Sequence, residues 1–505
     1  MSVRIRAVHN LSATWLGLAV QGIVSFLLSP FILHRLGDEA FSIWILIFVL
    51  TGWFGLLDFG IRSSIVRYTA RFIASNDKRG LRAYLSTSLV FYGLIALVVL
   101  SITTVSYFYL PLLFKIPAGL LRTARLLLLL SGSAIAITFP LSVFTGALEG
   151  LQKFAWLQLS QMGLTVLRAA LIVVAMLNGG GLLTIGAITV AINVAGYVIF
   201  SILAIRVLPV TLRIRMADMD AFRKMANYGL FALAILAAEK LRFQSDAMVV
   251  GAFLPATAIT LFSIGSKLVE YSSYPVRSMA QLFTPMASEV HVRDDLRRLQ
   301  KILFSGNRAC ALIVFPICVT LVVLGKPVIS AWVGGRYISA YPVLLLLLVP
   351  RTLYVSQAAS TKLLLGMGRH RVLACVLLLE GTANLLLSLL LVRRLGLIGV
   401  ALGTAIPLLV TGLLFLPRHL CKLLNVPLRT FLTRTYGLPF ALCIPLATIL
   451  WLVRTQVAST TYSAVVAQVG AGGLVYGLSL GIALWRQGAS RPKSWYAFSQ
   501  LLEPK

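Results

Sequence analysis

The chain has 505 residues, of which 59% are hydrophobic and 12% charged, whereas a soluble chain is roughly 25% charged. A water-exposed fold of this size cannot keep so apolar a surface dispersed, so the composition excludes a soluble protein and indicates an integral membrane one. The formal charge of +30, from 45 Lys+Arg against 15 Asp+Glu, would suggest nucleic acid on a soluble chain; in a membrane chain it must first be sorted by topology.

The N-terminal MSVRIRAVHNLSATWLGLAVQGIVSFLLS reads as an uncleaved first span, because its apolar run is too long for a signal peptide and no small-x-small site closes it. About 20 apolar residues cross the hydrocarbon core as helix. Such runs predict fourteen spans, at 12–33, 41–59, 84–106, 124–146, 156–177, 184–205, 226–252, 256–283, 307–325, 341–365, 372–392, 396–416, 434–453 and 461–485. Long runs in place of ten-residue alternations exclude a barrel. With both termini in the cytoplasm, 28 basic residues fall on the cytoplasmic side and 9 on the other, and 8 lie within spans or at their mouths. This bias follows the positive-inside rule, and anionic membrane lipids account for the basic loops without nucleic acid. SEVHVRDDLRRLQKILFSGNR, with Leu296, Leu299, Ile302 and Leu303 on one side, reads as an interfacial helix. The sequence contains no Walker A, dinucleotide or HExxH pattern, so neither enzymatic activity nor a metal or organic cofactor is expected. Cys310, Cys318, Cys375, Cys421 and Cys443 form no CxxC pair and read as small buried apolar side chains.

Charges inside a bilayer are costly and ask for a partner, an aqueous cavity or a function. Asp58 and Arg62 end the second span as an i,i+4 pair, with Gly52, Gly55 and Gly60 thinning the helix. Arg168 lies deep in the fifth span, too deep for snorkelling, while Glu149 reads as a structural group at the mouth of the fourth. In the seventh span Glu239, Arg242 and Asp246 share one face, so Arg242 can pair with either acid; the cluster either loads a proton or cation or simply tethers the helix. The eighth span carries Lys267, Glu270 and Arg277 on one side. Arg351 and Lys362, eleven residues apart, nearly superpose in the tenth, and Glu380 sits mid-span in the eleventh with Asn384 beyond it. The candidate cavity cations are thus Arg62, Arg168, Arg242, Lys267, Arg277 and Arg351; the guanidinium forks of the arginines and the ammonium of Lys267 suit a phosphoryl anion. Candidate ion-coupling acids are Asp58, Glu239, Asp246, Glu270 and Glu380.

Two stretches parallel each other: GALEGLQKFAWLQLSQMGLTVLRAALIVVAML…LLTIGAITVAI and LLLGMGRHRVLACVLLLEGTANLLLSLLLVRRLGLIGVALGTAI. Each has a Gly-rich basic turn, an apolar span, a short loop and an Ile-Gly-x-[Ile/Val] opening. The repeat is parallel and predicts two six-helix lobes, 1–205 and 206–416, with two additional helices and a cytoplasmic tail at 417–505. The fold class expected is all-α and polytopic.

With GLLDFGIRSSIVRY, GALEGLQKF and GKPVISAWVGGRYISAYPVLLLLLVP, these stretches resemble the oligosaccharide flippase, or polysaccharide biosynthesis protein, family of the multidrug/oligosaccharidyl-lipid/polysaccharide exporter superfamily. The resemblance spans roughly residues 10–485. It implies translocation of an undecaprenyl-pyrophosphate-linked oligosaccharide across the bacterial inner membrane, driven by a proton or sodium gradient, with other polysaccharide assembly proteins as candidate partners. A multidrug exporter and a peptidoglycan-precursor flippase of the same superfamily are the alternatives, although an organic-cation carrier would need acids to dominate its cavity. A membrane glycosyltransferase or polymerase ranks lower, since most outer loops are only a few residues long.

Overall fold

A computed structural model describes residues 3–212, 216, 218–456 and 461–490. The expected tail 491–505 and the loop cations Arg213 and Arg215 lie outside the described residues. The described chain is helical throughout. In order it forms α1 (Val3–Leu36), α2 (Asp38–Gly52), α3 (Ile61–Ala74), α4 (Lys78–Leu113), α5 (Ala118–Gly150), α6 (Phe154–Leu177), α7 (Leu182–Val207), α8 (Met219–Phe243) and α9 (Ser245–Phe253). There follow α10 (Ala256–Ala280), α11 (Phe283–Val292), α12 (Leu296–Val333), α13 (Tyr341–Val355), α14 (Ala358–Gly366), α15 (His370–Leu409), α16 (Leu416–Leu423), α17 (Leu428–Gln456) and α18 (Tyr462–Ser490).

Ten helical segments among the described residues are long and apolar enough to cross a membrane, which corrects the expected fourteen. The differences have physical causes. Of the first expected span, the described apolar helix is Val20–Leu36. The expected 226–252 span breaks at Gln244 into α8 and α9, and α10 carries Lys267, Glu270 and Arg277; the charges that mark these helices also lower their hydropathy. The expected 372–392 and 396–416 spans run together through Gly396, whose φ of 57° and ψ of −134° make a kink that only glycine takes easily. The amphipathic stretch expected to lie in the interface forms the end of α11 and the first turns of α12, with Leu299, Ile302 and Leu303 buried in a core.

Helix ends repeat in a way that echoes the sequence repeat. At the GALEGLQKF turn, Gln152 N–H donates to Glu149 O and Lys153 N–H to Leu148 O, with Gln152 left-handed. At the LLLGMGRHR turn, Gly368 N–H donates to Leu365 O and Arg369 N–H to Leu364 O, with Gly368 left-handed. Both are the same crossed C-terminal closure. The α3–α4 and α11–α12 turns also match: left-handed Asn76 and Asp294 precede Asp77 and Asp295, whose side chains cap the next helix by accepting from Gly80 N–H and Arg298 N–H.

By compactness the chain divides into two units. One comprises Met1–Ile264 and His370–Pro407, the other Gly265–Arg369 and Leu408–Lys505. These divisions fall elsewhere than the expected lobe boundaries. Within the first unit, a core built on Ile65, Leu85, Tyr92, Val143 and Ala147 holds α3, α4 and α5 together. Within the second, Leu303, Cys310, Leu363 and Phe431 form a core shared by α12, α14 and α17. Cys310, Cys421 and Cys443 are buried as expected, whereas Cys375 is exposed.

Candidate functional site

The densest set of embedded charges lies in the first unit, where α8, α9 and α15 meet. Arg242 ends α8, and its Nε donates to Glu380 Oε1 of α15 at 2.5 Å. Both side chains are only 4% exposed. The contact depends on Gly381: a Cβ there would lie 2.8 Å from Leu241 Cβ and 3.1 Å from Ala238 O, so only glycine lets the two helices come this close. The expected pairing of Arg242 with an acid of its own helix is therefore corrected, since its carboxylate partner is 138 residues away. The helix break at Gln244 re-aims the segment that follows, and Glu239 is exposed.

Just past that break, Asp246 is 5% exposed. Its Oδ2 accepts from Thr404 Oγ1 at 2.7 Å, while Oδ1 has no donor among the described residues. Asn384 Oδ1 and Val400 O lie 3.3 and 3.4 Å from Thr404 Oγ1. A hydroxyl carries one proton and can donate to only one of these three oxygens. Asn384 is held in turn, its Nδ2 donating to Arg242 O at 3.1 Å and its Oδ1 accepting from Ser388 at 3.0 Å. The cluster thus presents convergent hard oxygens in a buried site. Its carboxylates, Asp246 and Glu380, outnumber Arg242, leaving one formal negative charge for a proton or small cation to neutralise.

A second site in the same unit is a cavity of about 180 Å³ among α3, α5, α6 and α7, lined by Arg62, Thr145, Gln161, Arg168, Asn193 and Tyr197 among others. Gly150 lets α5 approach α3, where a Cβ would stand 2.8 Å from Val66 O. This brings Arg62 to Glu149 at 2.5 Å. Asp58 stays within electrostatic reach of Arg62 but forms no close ion pair with it among the described residues, since Trp53–Asp58 is 3-10 helix and Phe59 and Gly60 are left-handed. Asp58 accepts instead from the Tyr92 hydroxyl. Arg168 has no hydrogen-bond or ion-pair partner among the described residues, so one guanidinium faces a wall of uncharged polar groups.

In the second unit, Arg351 is 6% exposed and its Nε lies 3.4 Å from Ser273 Oγ. Lys267 is half-buried, while Glu270 and Arg277 are exposed, with Glu270 accepting from Tyr274 at 3.4 Å. Arg351 and Lys362 do not superpose along one helix, because the chain breaks at Ser356–Gln357 between α13 and α14. That break is held by polar side chains: Gln357 Nε2 donates to Gly412 O, and Asn307 Nδ2 to Ser360 Oγ at 2.7 Å.

Sequence reasoning singled out the charges and, Asn384 apart, missed their neutral partners. Gln161, Thr165 and Arg168 follow helical spacing, as do Asn193 and Tyr197, and Asn384, Ser388 and Thr404 share the interior with Asp246. Polar residues recurring at i+3 or i+4 within an apolar span were the available signal.

The comparisons with known proteins agree with this architecture. The model of the polysaccharide biosynthesis protein family matches residues 36–342, more than half the chain. The uncharacterized membrane protein EpsK of Bacillus subtilis (strain 168) is 23% identical over 441 residues, 85% of this chain and 86% of its own. The teichuronic acid biosynthesis protein TuaB of the same organism is 24% identical over 154 residues, covering 30% of this chain and 31% of its own. Among solved structures, the lipid II flippase MurJ in an inward closed conformation superposes with a TM-score of 0.74 at 16% identity, over 95% of this chain and 99% of that one. An inward-facing multidrug resistance MATE family transporter of the MOP superfamily gives 0.62 at 17% identity, over 84% and 96%. At these identities the structural likeness shows a shared fold. The chain is a multi-pass membrane protein that belongs to the polysaccharide biosynthesis protein family.

Proposed function

We propose that the protein moves an undecaprenyl-pyrophosphate-linked oligosaccharide across the bacterial inner membrane for surface polysaccharide synthesis, coupled to a proton or sodium gradient. The observation that carries this reading is the Arg62–Arg168 cavity, whose Arg168 guanidinium faces neutral hydrogen-bonding groups. A space of about 180 Å³ can take a small anion such as a diphosphate, so the site would grip the anionic link of the cargo. Buried Arg351 supplies the corresponding cation in the second unit. The Asp246–Asn384–Thr404 oxygens would take the coupling proton or cation, with Glu380 held by Arg242. No resident cofactor is needed for this cycle.

In this reading the N- and C-termini are cytoplasmic, and two repeated lobes, 1–205 and 206–416, open alternately to either side, with 417–505 added to the second. The matched turn geometries at Gln152 and Gly368 support the repeat. The likeness to MurJ keeps a peptidoglycan precursor as a second cargo with the same diphosphate chemistry.

Complementation tests the reading. A strain lacking this protein should accumulate lipid-linked glycan on the cytoplasmic leaflet, and the wild-type chain should clear it. Arg168→Gln and Arg351→Gln should insert normally and clear it poorly. Normal export by both variants would contradict the anion-gripping role, and rescue of peptidoglycan synthesis without glycan export would assign the second cargo.

A further inference from the structure

The second unit holds a separate cationic feature between α12 and α17. Arg297, Lys301 and Arg308 recur at four- and seven-residue steps and so form one stripe along α12. Arg434 of α17 stands opposite, its guanidinium 5.8 Å from the Phe304 ring centroid. Between them opens a groove of about 520 Å³, and no carboxylate lines it. The nearest acid in sequence, Asp295, is already committed to Arg298, accepting from its N–H at 2.9 Å and pairing with its guanidinium at 3.2 Å. Arg297, Lys301 and Arg434 form no ion pair among the described residues.

Position along the helix identifies the ligand. α12 has 38 residues, which at 1.5 Å per residue is about 57 Å, far longer than a hydrocarbon core of about 30 Å. After Arg308 no charged residue occurs until Lys326, so an uncharged run, Ala309–Gly325, separates the stripe from the far end of the helix. The groove therefore lies where the helix leaves the hydrocarbon, at headgroup level. Phe304 and Leu438 add apolar surface beside the cations, which suits a group bearing both phosphate and glycerol. We infer that this groove binds the phosphodiester headgroup of an anionic phospholipid and fixes the second unit to its leaflet. The inference stands independently of the proposed cargo.

Native mass spectrometry of the purified full chain tests it, with phosphatidylglycerol as probe and phosphatidylcholine as the neutral comparison. The wild type should retain phosphatidylglycerol preferentially. The combined Arg297→Gln, Lys301→Gln and Arg434→Gln variant should reduce that retention at least about tenfold. Arg293→Gln with Arg369→Gln, which removes equally basic side chains outside the groove, should leave it unchanged. Should the combined variant fold poorly, Arg434→Gln alone should still lower retention measurably. Equal retention by wild type and groove variants would overturn the site. Displacement of phosphatidylglycerol by inorganic pyrophosphate, but not by equal inorganic phosphate, would reassign the groove to the diphosphate of a lipid-linked cargo.

Discussion

The α8–α9–α15 cluster and the cavity among α3, α5, α6 and α7 belong to one compact unit, yet they handle embedded charge in opposite ways. In the cluster, Arg242, Glu380 and Asp246 are almost fully buried, with Arg242 paired to Glu380 and Asp246 accepting from Thr404. In the cavity, Arg62 is 40% exposed against its partner Glu149, and Arg168 keeps its charge without a partner among the described residues. One site carries an excess of carboxylate oxygens in a buried interior, the other an excess of guanidinium beside a space large enough for a small anion. In the proposed reading the first takes up a cation or proton and the second grips an anion. A carrier that couples an ion to an anionic cargo needs both compartments.

Substitutions can break this contrast, and the largest effect should come from the buried pair. Glu380→Gln leaves Arg242 without its carboxylate and should cost about 3–5 kcal/mol of stability. The midpoint of thermal unfolding in detergent should fall by several degrees; an unchanged midpoint would mean that the pair is not buried as described. In the cavity the pattern should reverse. Arg168→Gln removes a charged donor to the cargo, worth about 1.5–3 kcal/mol, and transport should fall roughly tenfold or more while the unfolding midpoint stays put. A matching loss of stability would make Arg168 structural.

A smaller effect is expected at the helix crossing that makes the cluster possible. Gly381→Ala forces a methyl into a 2.8 Å gap and should cost about 1–3 kcal/mol, lowering the unfolding midpoint less than Glu380→Gln does. Smallest of all, Asn193→Ala should weaken transport by about 0.5–1.5 kcal/mol, the worth of one neutral hydrogen bond. Its readout is the initial rate of lipid-linked glycan translocation, and a loss as large as that of Arg168→Gln would place the grip on Asn193 instead.

How much of this was legible in the sequence depends on whether the signal was local. Helices and the embedded charges Arg168, Arg242, Asp246, Arg351 and Glu380 stand out because hydropathy and charge are properties of single residues and short windows. The union of Arg242 with Glu380 was not legible, since the residues are 138 positions apart and each helix offered nearer partners on paper. Breaks at Gln244 and at Ser356–Gln357 were hidden as well, for neither place carries the proline or glycine that usually signals one. Gly60 stands out for its smallness, but its left-handed backbone, beside which Arg62 pairs with Glu149, is a property of the folded chain. Thr404 and Ser388 were silent because a hydroxyl in an apolar helix ordinarily satisfies itself on the preceding turn. Their tertiary bonds appear only once Asp246 and Asn384 are beside them.

The most direct test of an ion compartment working with an anion compartment is gradient-dependent translocation in proteoliposomes, with a fluorescent undecaprenyl-pyrophosphate-linked oligosaccharide as cargo and imposed sodium or proton gradients. Wild-type protein should speed up under one of the two gradients. Asp246→Asn should lose that acceleration, and Arg168→Gln should keep it at a lower rate. A wild-type response to the gradient in Asp246→Asn would contradict the account.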